Sequence, residues 1–136
     1  MLLQVLMVDD DPGQLRIRQS VLRTAGLEVN LASNAEGALE ILRSKGCEIG
    51  VVITDHLLPG LQGADLVREL RRLHPSLPVV VLSGMPDIEP EYDGLDAIVR
   101  FKPLPAGELI QLVHGLLEMS TARACKADGS SRKAAS

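Results

Sequence analysis

Short apolar runs alternate along the chain with segments in which apolar residues recur every three or four positions. Five mainly apolar runs have the length of strands, and they cover residues 2–8, 27–31, 49–54, 79–82 and 97–101. Runs without polar interruption suit strands buried on both faces of a sheet. The helical spacing between and after them predicts helices from Pro12 to a stop at Gly26, from a cap at Ser33 to a stop at Gly46, and over 64–73 and 106–119.

Two helix starts carry recognisable capping residues. Asp11 can cap the first helix, because Pro12 fits the first helical position and Gln14 stands where a capping-box partner would. Ser33 is followed by Glu36 three residues later, which is the same signature for the second helix. We therefore interpret Asp11 mainly as a structural residue.

Strand–helix alternation with short connections predicts an α/β domain whose parallel sheet is covered by helices on both faces. The stretch 84–96 contains Pro86, Pro90 and, near its end, Gly94, so a helix there should be short or irregular. Residues 120–136 are small and polar and have no apolar period. We therefore expect one domain over residues 1–119 and a flexible tail or linker over 120–136.

Composition narrows the classes of function. Hydrophobic residues make up 46% of the chain, but aromatic residues only 1%, and the net charge is −4, which argues against a nucleic-acid surface. No apolar run approaches the roughly 20 residues of a membrane span, and no basic segment precedes the first run as in a signal peptide. Cys47 and Cys125 fit no metal spacing, so we expect free thiols in a cytoplasmic protein.

Polar residues that carry chemistry stand where the predicted strands end. They are Asp9 and Asp10 after the first strand, Asp55 after the third, Ser83 after the fourth and Lys102 after the fifth. Ligands of open parallel sheets bind beyond the carboxyl ends of the strands. Three nearby carboxylates require a cation, and oxygen ligands suit Mg²⁺. With a lysine and a hydroxyl they form a site for a phosphoryl group, which a carboxylate can accept as nucleophile.

Four motifs in this order resemble the receiver (response-regulator) domains of two-component signalling. They are "VLMVDDDPG" (5–13), "VVITDHLLPGLQG" (51–63), "VVVLSG" (79–84) and "FKPL" (101–104). The resemblance covers about residues 2–119. It implies a flavodoxin-like α/β fold with a five-stranded parallel sheet in the order 2-1-3-4-5.

The resemblance also assigns roles to the residues at the strand ends. Asp55 would accept a phosphoryl group from a histidine kinase or a phosphotransfer protein. Asp10, Asp55 and the main-chain carbonyl of Leu57 would bind Mg²⁺ (or Mn²⁺), and Asp9 would hold the ion through water. Ser83 would bond the phosphoryl oxygen, and Lys102 would pair with it. The peptide bond before Pro103 would be cis.

The chain departs from the family pattern at several positions. Val99 stands where many relatives carry an aromatic switch residue, three positions before the lysine. Two family positions flank the path of a water molecule towards the phosphoryl group, and here they hold Leu57 and Met85. His56 follows the acceptor, and we interpret it as a partly exposed neighbour that points away from the site. His74 and His114 are expected on the surface.

Two other functions compete with the signalling switch. A Mg²⁺-dependent phosphatase or phosphotransferase with an aspartate nucleophile would normally place a second acid two residues after it, and that position is Leu57. An interaction module that has lost phosphorylation would lack site residues, and none is missing. We therefore expect a cytoplasmic switch with an unknown output partner. We expect no contact with nucleic acid or membrane, and no enzymatic activity beyond its own phosphorylation and dephosphorylation.

Overall fold

Five strands and four α-helices alternate along the chain in this computed structural model, which describes residues 3–60 and 62–135, with side chains up to Ser120. The elements are β1 (Gln4–Val8), α1 (Pro12–Thr24), β2 (Val29–Ala32), α2 (Ala35–Lys45), β3 (Ile49–Asp55), α3 (Gly63–Leu73), β4 (Val79–Ser83), β5 (Ile98–Phe101) and α4 (Ala106–Ala135). Two short 3₁₀ helices cover Gly46–Glu48 and Glu89–Tyr92. Every predicted strand is present, with bounds that shift by one or two residues; Leu2 lies outside the described residues.

The strands form one parallel sheet in the order β2-β1-β3-β4-β5. This confirms the predicted α/β class and the strand order implied by the family resemblance. Because β1 and β3 lie side by side at the centre, their carboxyl ends meet at the same edge of the sheet. The acids of the first and third strands are brought together in this way.

Each face of the sheet has its own apolar core, because alternate strand residues point to opposite faces. In β1, Val5 and Met7 pack with α1 and α4, whereas Leu6 and Val8 pack with α2 and α3. Strands β3 and β4 divide in the same way. This explains why the central strands β3 and β4 are almost entirely apolar, and it gives a rigid base to the residues at the strand ends.

The two predicted helix caps have different outcomes. The side chain of Asp11 accepts hydrogen bonds from the main-chain N–H groups of Gly13 (2.9 Å) and Gln14 (3.3 Å), so its capping role is confirmed. The second cap is Asn34 and not Ser33, because α2 begins at Ala35 and Asn34 Oδ1 accepts the N–H of Gly37 at 2.7 Å. Asn and Ser are about equally good caps, so the sequence alone does not separate two adjacent candidates.

A single short 3₁₀ helix replaces a regular helix between β4 and β5, as the prolines predicted. The rest of this segment is irregular, and three of its residues have a positive φ: Asp87 (58°), Gly94 (78°) and Asp96 (55°). Arg71 of α3 fastens the end of the segment, because its guanidinium donates to the carbonyl oxygens of Leu95 and Asp96. The connection is therefore anchored despite its irregular backbone.

The last helix continues to Ala135, so its predicted end at Met119 is wrong. Its first half packs on the sheet, and the Ser120 hydroxyl donates a 2.6 Å hydrogen bond to the carbonyl oxygen of Gly50. This contact keeps the helix attached beyond the point where the apolar period ends. The role of 120–136 as a tail or linker stays a prediction. Among the described residues, no helix combines the length and the apolar character that crossing a membrane demands.

Candidate functional site

The predicted site residues lie together along the carboxyl edge of the sheet. Asp9 directly follows β1, Asp55 and Ser83 are the last residues of β3 and β4, and Lys102 directly follows β5. Strand pairing fixes these positions, since Asp55 pairs with Leu82 and Ser83 with Phe101. Four separate segments thus bring acids, a hydroxyl and an ammonium group to one edge.

Three carboxylates form a cluster at the centre of this edge. Oxygen atoms of Asp9, Asp10 and Asp55 all lie within 4.8 Å of one another. Asp9 is buried, Asp55 is half-buried and Asp10 is exposed, so the cluster opens to solvent on one side. Such a set of hard oxygen donors fits a divalent cation that keeps part of its water shell.

Lys102 brings a positive charge to this cluster. Its ammonium Nζ lies 2.9 Å from Asp55 Oδ1, and only 13% of the Asp55 side chain is exposed, compared with 29% of the Lys102 side chain. The main chain places the lysine, because its N–H donates to the carbonyl oxygen of Ser83 at 2.8 Å. The bond between Lys102 and Pro103 is cis, as the family resemblance implied.

Ser83 is buried, and its hydroxyl is engaged with the loop that follows it. The hydroxyl oxygen accepts the N–H of Met85 at 2.9 Å and lies 3.0 Å from the Met85 carbonyl oxygen, to which it can donate. A phosphoryl group would therefore have to draw the hydroxyl away from the carbonyl. The predicted contact between Ser83 and a phosphoryl oxygen stays a prediction.

Two large apolar side chains stand exposed near the acids. Leu57 is 51% exposed and Met85 is 45% exposed. Neither side chain can donate or accept a strong hydrogen bond, so neither can orient a water molecule in this way. The role of the Leu57 carbonyl as a metal ligand stays a prediction.

An ion pair that the sequence analysis missed holds the buried acid. Arg18 Nη1 of α1 lies 2.8 Å from Asp9 Oδ2, and the other oxygen, Oδ1, accepts the N–H of Asp11 at 3.0 Å. The sequence carried a signal for this pair. Arg18 lies three residues after Leu15 and four before Leu22, which are both buried, so a charged residue interrupts the apolar face of the helix.

His56 is buried, so its predicted partial exposure is wrong. Only 3% of the residue is accessible, and its Nδ1 shares a 2.6 Å hydrogen bond with the hydroxyl of Tyr92. On the other side of the ring, Nε2 lies 3.7 Å from a carboxylate oxygen of Glu91. The irregular segment between β4 and β5 covers the ring, because Tyr92 and Glu91 both belong to it. That His56 points away from the acids stays a prediction.

Close packing around Tyr92 explains this burial. Burial and the neighbouring Glu91 carboxylate raise the pKa of the Tyr92 phenol well above its usual value, so the hydroxyl stays protonated. A Cβ atom at position 63 would lie 2.6 Å from this hydroxyl and 2.9 Å from the main chain of His56. Gly63 therefore allows α3, β3 and the short 3₁₀ helix to meet.

Comparisons with known proteins agree with this geometry. A C4-dicarboxylate transport transcriptional regulatory protein, DctD of Pseudomonas aeruginosa, is 32% identical over 124 residues, which cover 85% of this chain. A sensor kinase, CckA of Brucella abortus, is 30% identical over 118 residues, which cover 84% of this chain. The matched regions are only 25% and 12% of those two proteins, so the chain spans a small part of their length.

A solved structure shows the same fold. The response regulator receiver domain protein from Clostridium thermocellum superposes with a TM-score of 0.80 at 28% identity, over 89% of this chain and 98% of that one. Residues 5–114 match the response regulator receiver domain family. The chain belongs to this family, and it is a phospho-accepting signalling domain.

Proposed function

We propose that Asp55 is the residue that accepts the phosphoryl group, and that the domain switches conformation when it does. The observation that carries this proposal is the contact between Lys102 Nζ and Asp55 Oδ1 inside a cluster of three carboxylates. Of these acids, Asp55 stands at the end of the central strand and contacts the lysine. It is half-buried, which leaves it accessible to a phosphodonor.

The transfer exchanges one bond for another. An Asp55 carboxylate oxygen attacks phosphorus while the P–N bond of a phosphohistidine breaks, and the leaving imidazole nitrogen takes up a proton from solvent. The donor is a histidine kinase or a phosphotransfer protein. In phosphoryl transfer, negative charge spreads over the non-bridging oxygens, so nearby positive groups lower the barrier. Lys102 supplies one such group, and the hydroxyl of Ser83, the last residue of the neighbouring strand β4, would supply a hydrogen bond.

The acid cluster supports a metal-dependent reaction. Asp10, Asp55 and the Leu57 carbonyl would hold Mg²⁺ or Mn²⁺, and Asp9 would contribute through a water molecule. When bound, the ion supplies positive charge that offsets the charge of the phosphoryl oxygens. The fit rests on the oxygen donors themselves, which lie within 4.8 Å of one another and include the exposed Asp10.

The phosphatase alternative is not favoured. A phosphatase of this kind needs an acid–base group near the nucleophile to protonate the leaving group of its substrate. The position two residues after Asp55 holds Leu57, whose side chain is exposed and apolar. The other polar groups of the site have other proposed roles: Asp9 and Asp10 would hold the metal ion, and Lys102 and Ser83 would contact the phosphoryl group. A switch that receives a phosphoryl group from a partner needs no such acid.

The relatives indicate two settings in which such a switch operates. One is a transcriptional regulatory protein and the other a sensor kinase, and both are much longer than the matched region. We propose that phosphorylation of this domain likewise controls a partner protein or a covalently linked output domain.

Intact-protein mass spectrometry tests the assignment. Incubation with a small phosphodonor and Mg²⁺ should add one phosphoryl group to the wild-type chain, and Asp55→Asn should abolish the addition. Asp11→Asn is the matched control, because it removes a neighbouring carboxylate while Asn keeps the helix cap. Modification that persists in Asp55→Asn, or that forms without a divalent cation, would overturn the proposal.

A further inference from the structure

Both oxygens of Asp9 are already occupied by partners within the chain. Oδ1 accepts the N–H of Asp11 at 3.0 Å, and Oδ2 accepts from Arg18 at 2.8 Å. The pair is sheltered from solvent, since 3% of the Asp9 side chain and 15% of the Arg18 side chain are exposed. Solvent screens a pair of this kind less than it screens a surface pair.

Arg18 changes the charge balance of the acid cluster. Lys102 pairs with Asp55, and Arg18 pairs with Asp9, so two fixed cations face the three carboxylates. A divalent cation that enters the cluster is therefore repelled by the Arg18 guanidinium. This guanidinium lies beside Asp9, the acid expected to bind the ion through water. The ion also meets an Asp9 oxygen that already accepts a charge-assisted hydrogen bond from this guanidinium.

The fold leaves Arg18 room to move away. A cavity of ≈ 640 Å³ lies between α1 and the segment that follows β5, and Arg18, Lys102, Ile17 and Leu104 are among the residues that line it. The guanidinium could leave Asp9 for this space without unfolding the helix. Arg18 thus has one position paired with Asp9 and open space next to it.

We infer that Arg18 is a tethered cation that competes with the divalent ion for Asp9 and so weakens metal binding. In the metal-free protein, Arg18 neutralises the buried carboxylate. Metal binding displaces or repels the guanidinium. The free energy that this requires makes metal binding less favourable. Arg18 is therefore a positioning residue for Asp9, and it tunes the Mg²⁺ concentration at which the domain becomes competent for phosphorylation.

Isothermal titration of the full chain with Mg²⁺ tests this inference directly. Arg18→Met keeps the length and the apolar stem but removes the charge, and it should bind Mg²⁺ about tenfold more tightly than wild type. Arg18→Lys keeps the charge and should stay within about threefold of wild type. Arg16→Met is the matched control, since Arg16 is exposed on the same helix, and it should change the affinity by less than about twofold.

The outcomes separate this inference from the proposed function on which it rests. Unchanged or weaker Mg²⁺ binding by Arg18→Met, or an equal gain in Arg16→Met, would overturn the role of Arg18. A wild-type chain that binds no Mg²⁺ would instead contradict the proposed metal site. If Arg18→Met does not fold, Arg18→Gln provides a second neutral variant, and the same tenfold gain is expected.

Discussion

At the scale of single residues, Asp55 is oriented by contacts from two parts of the chain. Lys102 Nζ lies 2.9 Å from Oδ1, and the N–H of His56 donates to the same oxygen at 3.1 Å. Both described contacts therefore fall on one oxygen of the carboxylate. We expect this arrangement to fix the plane of the group and to leave Oδ2 as the oxygen presented to phosphorus.

Leu57 and Met85 lead to a prediction about the lifetime of the phosphorylated state. Hydrolysis needs a water molecule aligned behind phosphorus, and two exposed apolar side chains cannot position it by hydrogen bonds. The double variant Leu57→Asn with Met85→Glu should release phosphate about tenfold faster, which corresponds to roughly 1.4 kcal/mol of barrier. Phosphate release at equal Mg²⁺ measures the rate.

A matched control for this prediction keeps both positions apolar. The exchange Leu57→Met with Met85→Leu alters shape but adds no polar group, so its rate should stay near that of wild type. Equal rates for the polar variant and wild type, or a slower polar variant, would show that water access is controlled elsewhere.

At the scale of elements, the short segment between β4 and β5 depends on a few specific anchors. Within the segment, the Tyr92 hydroxyl shares a hydrogen bond with His56. At the end of the segment, the carbonyl oxygen of Leu95 accepts a hydrogen bond from Arg71 of α3. Ile88 and Tyr92 are buried in the core shared with α2 and α3. A few contacts thus attach the segment to the fold, where a regular helix would be held by a whole packed face.

Tyr92→Phe should lower the stability of the fold by about 1–2 kcal/mol, because it leaves the buried His56 nitrogen without its partner. Urea unfolding measures the change. Glu91→Gln, at an exposed neighbouring side chain, should cost less than about 0.5 kcal/mol. A Tyr92→Phe variant as stable as wild type would show that the hydrogen bond contributes nothing net.

The phenol also predicts a pH dependence. Since folding raises the pKa of Tyr92, the folded state favours the protonated form. The stabilisation is complete below the unfolded pKa of about 10, and it is lost as the pH rises above this value. The stability difference between wild type and Tyr92→Phe should therefore shrink above about pH 10, and a difference that grows with pH would contradict this account.

Prediction from sequence succeeded where one segment carries the whole signal. Mainly apolar runs define the strands, and residues at their carboxyl ends lie along one edge because the strands are parallel. It failed where the answer depends on a distant partner. The burial of His56 requires Tyr92, 36 residues away. Arg18 interrupts an apolar face, but only the fold shows that Asp9 is its partner. The hydrogen bond from Ser120 to the carbonyl oxygen of Gly50, 70 residues away, was likewise not predicted from the sequence.

At the scale of the whole molecule, the switch should stay local. The family resemblance implies an aromatic switch residue at the position of Val99, and Val99 itself is half-buried and packs against the core. We expect a phosphoryl mimic to shift amide NMR signals mainly in residues 83–92 and 56–62, where Ser83, Met85 and the pair of His56 and Tyr92 lie. Large shifts throughout residues 106–119 of α4 would contradict this expectation.

Mg²⁺ should stabilise the whole fold. A ligand that binds only the native state adds about 2.7 kcal/mol at a concentration 100 times its dissociation constant. The melting temperature should therefore rise with Mg²⁺, and Asp10→Asn should reduce the rise because it removes an exposed acid of the cluster. A melting temperature that does not respond to Mg²⁺ in the wild-type chain would count against the site.

The most direct test of the account identifies the modified residue itself. Borohydride reduces an aspartyl phosphate to homoserine, so peptide mapping by mass spectrometry after reduction locates the acceptor. We predict homoserine at position 55 alone, formed only with a phosphodonor and Mg²⁺. Homoserine at position 9 or 10, or a phosphate that resists reduction and maps to Ser83 or His56, would contradict it.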